Sequence, residues 1–391
     1  MGAPSVILAG GGAAGLWCAL ALLRRGWPGS ALTVVEPDPK EGDDHTWGYW
    51  AIDPVVPPDL HFAAAGHVVL REGGRELITP TAPYRYYCLR SSRFYAYAKR
   101  ELANAGVSWR RDRVVGFSQV DGAGPSSSPV RAWCAAGDHL DADYALDSRP
   151  PDLDGLGAEY NSTLQHFGGY FVRSEKPTFH PDRVVFMDFV EAGPGEVAFF
   201  YVVPSGEREA IVELAVLGRR PWASAAYDAR IERYLPARYP DVEFEVVERE
   251  YGVIPMTDAP MWRASGPRVW AIGTRGGWVQ PSSGYAFART ARFASEVAAR
   301  LAEGPRAAPT PSPVQQVFNA TMLRFVNERP VRAGEVFFDL FARNGAPRTF
   351  RFLDEAAGLA ETLAVMWNSP RFAFADLAAR ETAARMWRLR G

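Results

Sequence analysis

Residues 10–15, Gly-Gly-Gly-Ala-Ala-Gly, match G-x-G-x-x-G, and Glu36 closes the next apolar run. Those residue types at that spacing suit a pyrophosphate and a ribose. Gly10 permits a tight turn, Gly12 lets the backbone approach phosphate, and Gly15 lets a helix pack closely on the preceding strand. The phosphates would sit at the helix N-terminus beside Ala13 and Ala14, where unpaired N–H groups and the helix dipole favour anions. Glu36 is placed to bind ribose hydroxyls, which selects FAD or NAD over NADP.

A second candidate is Glu213 in "AIVELAVL", an acid inside an alternating apolar run. A carboxyl there is costly unless it is neutral or functional. If Val212 and Leu214 face one side, Glu213 shares the other with Ile211 and Ala215; the alternative is a solvent-facing Glu on a half-exposed sheet. Three more polar residues are candidates. His45 lies with Trp47 just past Glu36, or is held by a backbone carbonyl. Asp188 interrupts "FMDF", or pairs with an arginine. Glu250 precedes "YGVIPM" as a base, or as a surface residue. Late in the chain, "AIGTRGGWVQPSSGYAF" (271–287) has Thr274 where many flavoproteins carry an Asp after the glycine. Gly273, Gly276, Gly277, Ser283 and Gly284 still offer backbone donors for a flavin ring or pyrophosphate, and Trp278 and Tyr285 offer apolar walls.

The elements that must position these residues are legible in part. Residues 6–9 read as a buried parallel strand and 13–25 as a helix stopped by Gly26. With a strand at 31–35 this is one βαβ unit. Residues 91–106 read as a helix, and 143–150 as a strand entering a loop. Between 161 and 250 alternating aromatic runs, including a hairpin turning at Ser205-Gly206, suggest an antiparallel sheet without intervening helices. Residues 284–302 read as a helix, 304–313 as a Pro-rich linker and 314–390 as a helical tail. The late return of a strand and glycine loop, after a β-rich insertion, is usual for FAD domains and favours FAD over NAD by fold-level analogy.

The chain has 391 residues, 47% hydrophobic and 23% charged, with net charge −2. That is ordinary for a globular protein and gives no footing for nucleic acid. Three separated cysteines and six scattered histidines suggest neither a disulfide framework nor a metal site, which fits a reducing cytoplasm. No apolar run is long enough to span a bilayer, which leaves peripheral membrane attachment open.

"DDHTWGYW", "YRYYCLRSSRFY", "LDSRP", "LQHFGGYFV", "VVFMDF", "YVVPSGEREAIVE", "GVIPMT", "GGWVQPSSGYAF" and "FRFLDE" follow one another in the order found in bacterial FAD-dependent lycopene cyclases, and the chain resembles that family nearly end to end. The resemblance implies an α/β fold: a Rossmann-type FAD-binding domain with an inserted antiparallel β-sheet substrate domain and a C-terminal helical region. The boundaries expected are 1–75, 85–150 and 251–303 for the discontinuous FAD-binding domain, 76–84 and 151–250 for the substrate-binding β domain, 304–313 for the linker and 314–391 for the helices. It implies a cyclase that closes a six-membered ring at the end of a linear polyene with no net redox change. FAD would act in reduced form, with NAD(P)H or another donor keeping it reduced. Glu213 corresponds to an acid the family requires, twelve residues beyond the Tyr of its Tyr-Val-x-Pro segment, here Tyr201. The family often has Asp-Thr after that acid, where this chain has Leu214-Ala215. Arg90 and Asp147 are expected as cofactor contacts; Trp47, Tyr201 and Trp278 line the substrate pocket in this reading. The partner would be a hydrophobic polyene or prenyl molecule, reached at a membrane surface by the Arg- and aromatic-rich segments "RTFRFL", "PRFAFADLAAR" and "ARMWRLRG". A solvated basic helix is the alternative for those segments. Another prenyl or meroterpenoid substrate, a flavin monooxygenase or polyprenyl reductase on the same fold, and a non-catalytic polyene carrier are the competing functions.

Overall fold

The computed structural model describes residues 3–119, 129–153, 156–157, 159–264, 266–303, 313–368 and 371–388. Its N-terminal unit is a five-stranded parallel sheet in which Val6–Ala9 sits centrally, between Tyr144–Asp147 and Leu32–Val35, with Val269–Ala271 and Ser108–Arg110 at the edges. The central strand is apolar throughout because both its faces are covered. The helix Ala13–Arg24 leaves it through Gly10, whose φ of 114° only glycine adopts readily. The helix Phe287–Ala302 packs beside it, burying Phe287, Phe293, Ala294 and Val297 in the same core.

The second unit is a seven-stranded sheet. Its consecutive neighbours are Phe244–Thr257, Ser162–Ser174, Glu209–Gly218, Val197–Pro204, Arg183–Val190, His67–Glu72 and Arg75–Pro80. All pairings are antiparallel except Arg183–Val190 with His67–Glu72. One face carries Tyr201, Ile211 and Ala215 and packs against Phe325, Phe337, Phe341 and Phe350 of the C-terminal helices. The other carries Val212, Leu214 and Tyr170 and is covered by the helix Ser224–Arg238 through Tyr227, Ile231 and Leu235. A small sheet of Thr46–Ala51, Arg85–Arg90 and His61–Ala65 bridges the two units.

Three expectations change. The boundary near residue 75 moves, because His67–Glu72 and Arg75–Pro80 form a hairpin about Gly73 and Gly74, both at positive φ, and a hairpin cannot be divided between sheets. The boundary at 250 moves because Phe244–Thr257 is one unbroken strand. The inserted sheet is not free of helices: Ser224–Arg238 shields a face that would otherwise expose Val212 and Leu214. The C-terminal region is helical as Pro313–Glu328, Ala333–Asn344, Ala346–Leu353, Leu359–Asn368 and Arg371–Arg388. Linker residues 304–312 lie outside the described residues, as do 370 and 389–391 of the Arg- and aromatic-rich segments.

Candidate functional site

A cavity of about 970 Å³ runs from the glycine turn to the large sheet. At one end stand Gly10, Gly12, Ala13, Ala14 and Glu36; at the other stand Tyr86, Cys88, Tyr201, Glu213 and Tyr285. The turn fits a dinucleotide. A Cβ on Gly12 would meet nothing within 4 Å, so the backbone there faces open space. A Cβ on Gly15 would lie 2.0 Å from the Gly10 carbonyl oxygen, which is the close helix–strand approach this glycine permits. Glu36 accepts hydrogen bonds from the Gly11 N–H at 2.7 Å and the Asp38 N–H at 3.0 Å, which fix its carboxylate at the cavity wall. From the late loop Gly273, Thr274, Ser283 and Gly284 line the same space, and the Ser283 hydroxyl is buried with no partner among the described residues.

At the far end Glu213 faces the cavity from the middle of its strand. Ile211 and Ala215 share its face, and Val212 and Leu214 point to the opposite core. No hydrogen bond or ion pair reaches its carboxyl among the described residues. Burial pushes its pKa well above the ordinary value, and the nearby Glu250 charge adds to the rise. The surrounding groups are aromatic. The Tyr285 hydroxyl lies 2.9 Å from that of Tyr86 and 3.2 Å from that of Tyr201, three phenols in a chain. Burial raises the pKa of all three, so they stay neutral. Glu250 lines the cavity from the outer strand and accepts from the Thr46 N–H at 2.9 Å and the Thr46 Oγ1 hydroxyl at 2.6 Å. The backbone that follows it, at Tyr251 to Val253, also lines the cavity, while the Tyr251 side chain turns to the other face of the sheet, where its hydroxyl donates to Asp228 at 2.6 Å.

The remaining sequence candidates divide. His45 and Trp47 line the cavity, their rings stacked at 5.8 Å, and Asp44 holds His45 Nδ1 at 2.9 Å. Trp47 also stacks on Phe287 at 4.8 Å. Four side-chain candidates are not at the cavity wall. Asp188 accepts from Arg71 at 3.2 Å and from Tyr234 at 2.8 Å, the arginine pairing that was the alternative reading. Trp278 is 2% exposed and stacks on Phe293 in the core of the first unit. Arg90 pairs with Asp43 and Glu248 and lies over the Phe171 ring. Asp147 clamps Arg149 at 2.8 Å and Arg275 at 3.0 Å, and it is Arg149 that reaches the cavity. Gly276 and Gly277 shape the late loop without lining the cavity: a Cβ on Gly276 would lie 2.4 Å from the Ala271 carbonyl oxygen, and Gly277 has a φ of 73°.

Sequence reasoning missed Thr46, Tyr86, Cys88, Gln165 and Phe167, all of which line the cavity. Only the run of tyrosines at 84–87 hinted at them. It also missed that Asp112, Cys134 and Asp138 converge; Arg110 already bonds both carboxylates.

The architecture is shared with flavin-dependent enzymes. It matches a geranylgeranyl bacteriochlorophyll reductase-like protein from Thermoplasma acidophilum at TM-score 0.60 and 13% identity, over 96% of this chain and 99% of that one. It matches the flavin-dependent brominase Bmp2 at TM-score 0.61 and 13% identity, over 90% and 93%. It matches HpxO of Klebsiella pneumoniae, complexed with FAD, at TM-score 0.53 and 13% identity, over 94% and 99%. No curated protein sequence matches the chain. Fold and glycine turn together define a two-unit protein of the dinucleotide-binding class. Within it, residues 5–379 match the family model described as lycopene cyclase protein, and the chain belongs to the lycopene cyclase family.

Proposed function

We propose that this protein is an FAD-dependent cyclase that closes a ring at one end of a linear polyene such as lycopene, leaving the oxidation state unchanged. The observation that carries the reading, beside family membership, is the unpaired Glu213 carboxyl in an aromatic-walled cavity continuous with the glycine turn. Gly10, Gly12, Ala13 and Ala14 would hold the FAD pyrophosphate, Glu36 its ribose, and Gly273, Ser283 and Gly284 the flavin end. When bound, reduced flavin, kept so by NAD(P)H, would supply negative charge against a cationic intermediate.

The chain's own groups do the rest. Glu213, whose burial favours the neutral carboxyl, delivers its proton to the terminal double bond. The faces of Tyr86, Tyr201 and Tyr285 favour the resulting tertiary cation, and their bulk excludes the water that would quench it. The next double bond then attacks, and a proton is lost. A cavity of about 970 Å³ that also houses a dinucleotide admits the end group rather than the whole polyene, so the rest of the substrate must extend out of it. We further propose a membrane surface as the source of substrate. Leu363, Met366 and Trp367, on one face of the helix Leu359–Asn368, are 56%, 40% and 66% exposed, which suits interfacial contact. No helix of the described residues is long and apolar enough to cross a membrane.

Anaerobic incubation with dithionite-reduced FAD and lycopene tests the reading. Cyclisation shifts chromatographic retention at unchanged mass. A gain of oxygen or hydrogen would make the protein an oxygenase or reductase, and failure to turn over any polyene would sink the proposal.

A further inference from the structure

The register of the large sheet places two carboxyls opposite one another. Tyr201 pairs with Glu213, Glu213 with Gly169, and Gly169 with Glu250, so four neighbouring strands contribute one row. Residues opposed in register present their side chains to the same face, and here that face is the cavity. Glu213 and Glu250 stand two strand spacings apart, about 9–10 Å between Cα atoms. Between them is a glycine. A Cβ on Gly169 would approach Glu213 Cβ and Cγ at 3.3 and 3.4 Å, so any side chain there would enter the space between the two acids.

The two carboxyls are chemically unequal. Glu213 receives no hydrogen bond among the described residues, which suits a neutral acid. Glu250 receives two, from the N–H and the hydroxyl of Thr46, which suits an anion. Two carboxyls in one cavity with opposed environments divide into an acid and a base.

Resting on the cyclase reading, we propose that Glu250 is the base that ends the cyclisation, that Thr46 positions its carboxylate, and that Gly169 keeps open the gap that receives the end group. The Glu213 O–H proton goes to the terminal alkene carbon, whose π electrons form the new C–H bond. The next π pair forms the ring C–C bond and moves the cation into the ring. A C–H bond beside that carbon then breaks, its electrons form the ring double bond, and Glu250 takes the proton. Glu213 ends ionised and Glu250 protonated; proton exchange with solvent restores both, and no oxidant or reductant is consumed.

The test is turnover of lycopene by the reduced holoenzyme in D₂O, followed by mass spectrometry of product and recovered substrate. The parent yields cyclic product carrying deuterium. E213Q yields no product and leaves recovered lycopene unlabelled. E250Q is expected to lose product formation at least about 100-fold, while recovered lycopene still gains deuterium at its terminal isoprene unit, because protonation proceeds and reverses. T46V, which leaves Glu250 in place, is expected to lower kcat about tenfold at unchanged KM. Gly169→Ala is expected to slow turnover with flavin content intact. An E250Q enzyme that cyclises within about threefold of the parent, or one that folds and binds flavin yet loses labelling together with product, would overturn the assignment; so would an unchanged kcat in T46V. An inert parent would sink the cyclase reading and this inference with it, whereas an active parent beside an active E250Q sinks this inference alone.

Discussion

Glu213 holds its proton more tightly in the folded protein than in the unfolded chain, because burial raises its pKa and the Glu250 charge adds to the effect. The stabilisation linked to that proton is therefore complete below the unfolded value, near 4.5, and is lost as pH rises through the folded one. Over that window each pH unit costs about 1.4 kcal/mol. Glu213→Gln should accordingly abolish cyclisation while raising the melting temperature relative to the parent at about pH 8, with the difference fading near pH 4. Parallel activity assays and thermal melts across pH check both halves. A melting temperature that is equally pH-dependent in the variant would show that Glu213 is not the titrating group. Asp188 makes the opposite case. Like Glu213 it interrupts an apolar strand, but Arg71 and Tyr234 satisfy it. Asp188→Asn should therefore leave turnover within about twofold and cost about 1–3 kcal/mol of stability in denaturant unfolding. Nothing local distinguishes the two acids, since Arg71 is 117 residues from Asp188 in sequence.

At the scale of elements, the first strand, glycine turn and helix follow rules that act over a few residues, and they form where those rules put them. Gly15 is tightly constrained in that unit. Gly15→Ala would force a Cβ to 2.0 Å from the Gly10 carbonyl oxygen, so the helix must move off the strand. The expected outcome is loss of bound flavin by absorbance and a drop of about 1–3 kcal/mol in stability. The helix Ser224–Arg238 was missed although its buried Tyr227, Ile231 and Leu235 recur every four residues. The alternating strands on either side of it carry the stronger periodic signal.

Across the whole molecule, the C-terminal helices belong to the site's foundation. Trp50 stacks on Phe350 at 4.5 Å, Phe186 lies 5.5 Å from Phe341, and one core joins Tyr201 and Ile211 of the sheet to Phe325 and Phe337 of the helices. A chain ending at residue 303 would expose that face and is expected to be insoluble or molten by near-UV circular dichroism; a soluble, flavin-binding truncation would contradict the shared core. If the exposed face of Leu359–Asn368 meets lipid, L363E/W367E should reduce flotation with vesicles of anionic lipid several-fold without changing the melting temperature; unchanged flotation would remove that face from the contact.

The dinucleotide unit could be read from the sequence because its parts lie within 31 residues and each acts on its neighbours: glycines set φ, apolar runs set burial, and Glu36 ends the next strand. Glu213 could be found because an acid among alternating apolar residues stands out along one strand. Its relation to Tyr201, Gly169 and Glu250 could not be found that way. Which residues stand opposite one another depends on register, and a slip of one residue would turn Glu213 away from the cavity. Register is fixed by pairing among strands far apart in the chain and by the helices packed on both faces, so only the tertiary structure assembles the row of acids.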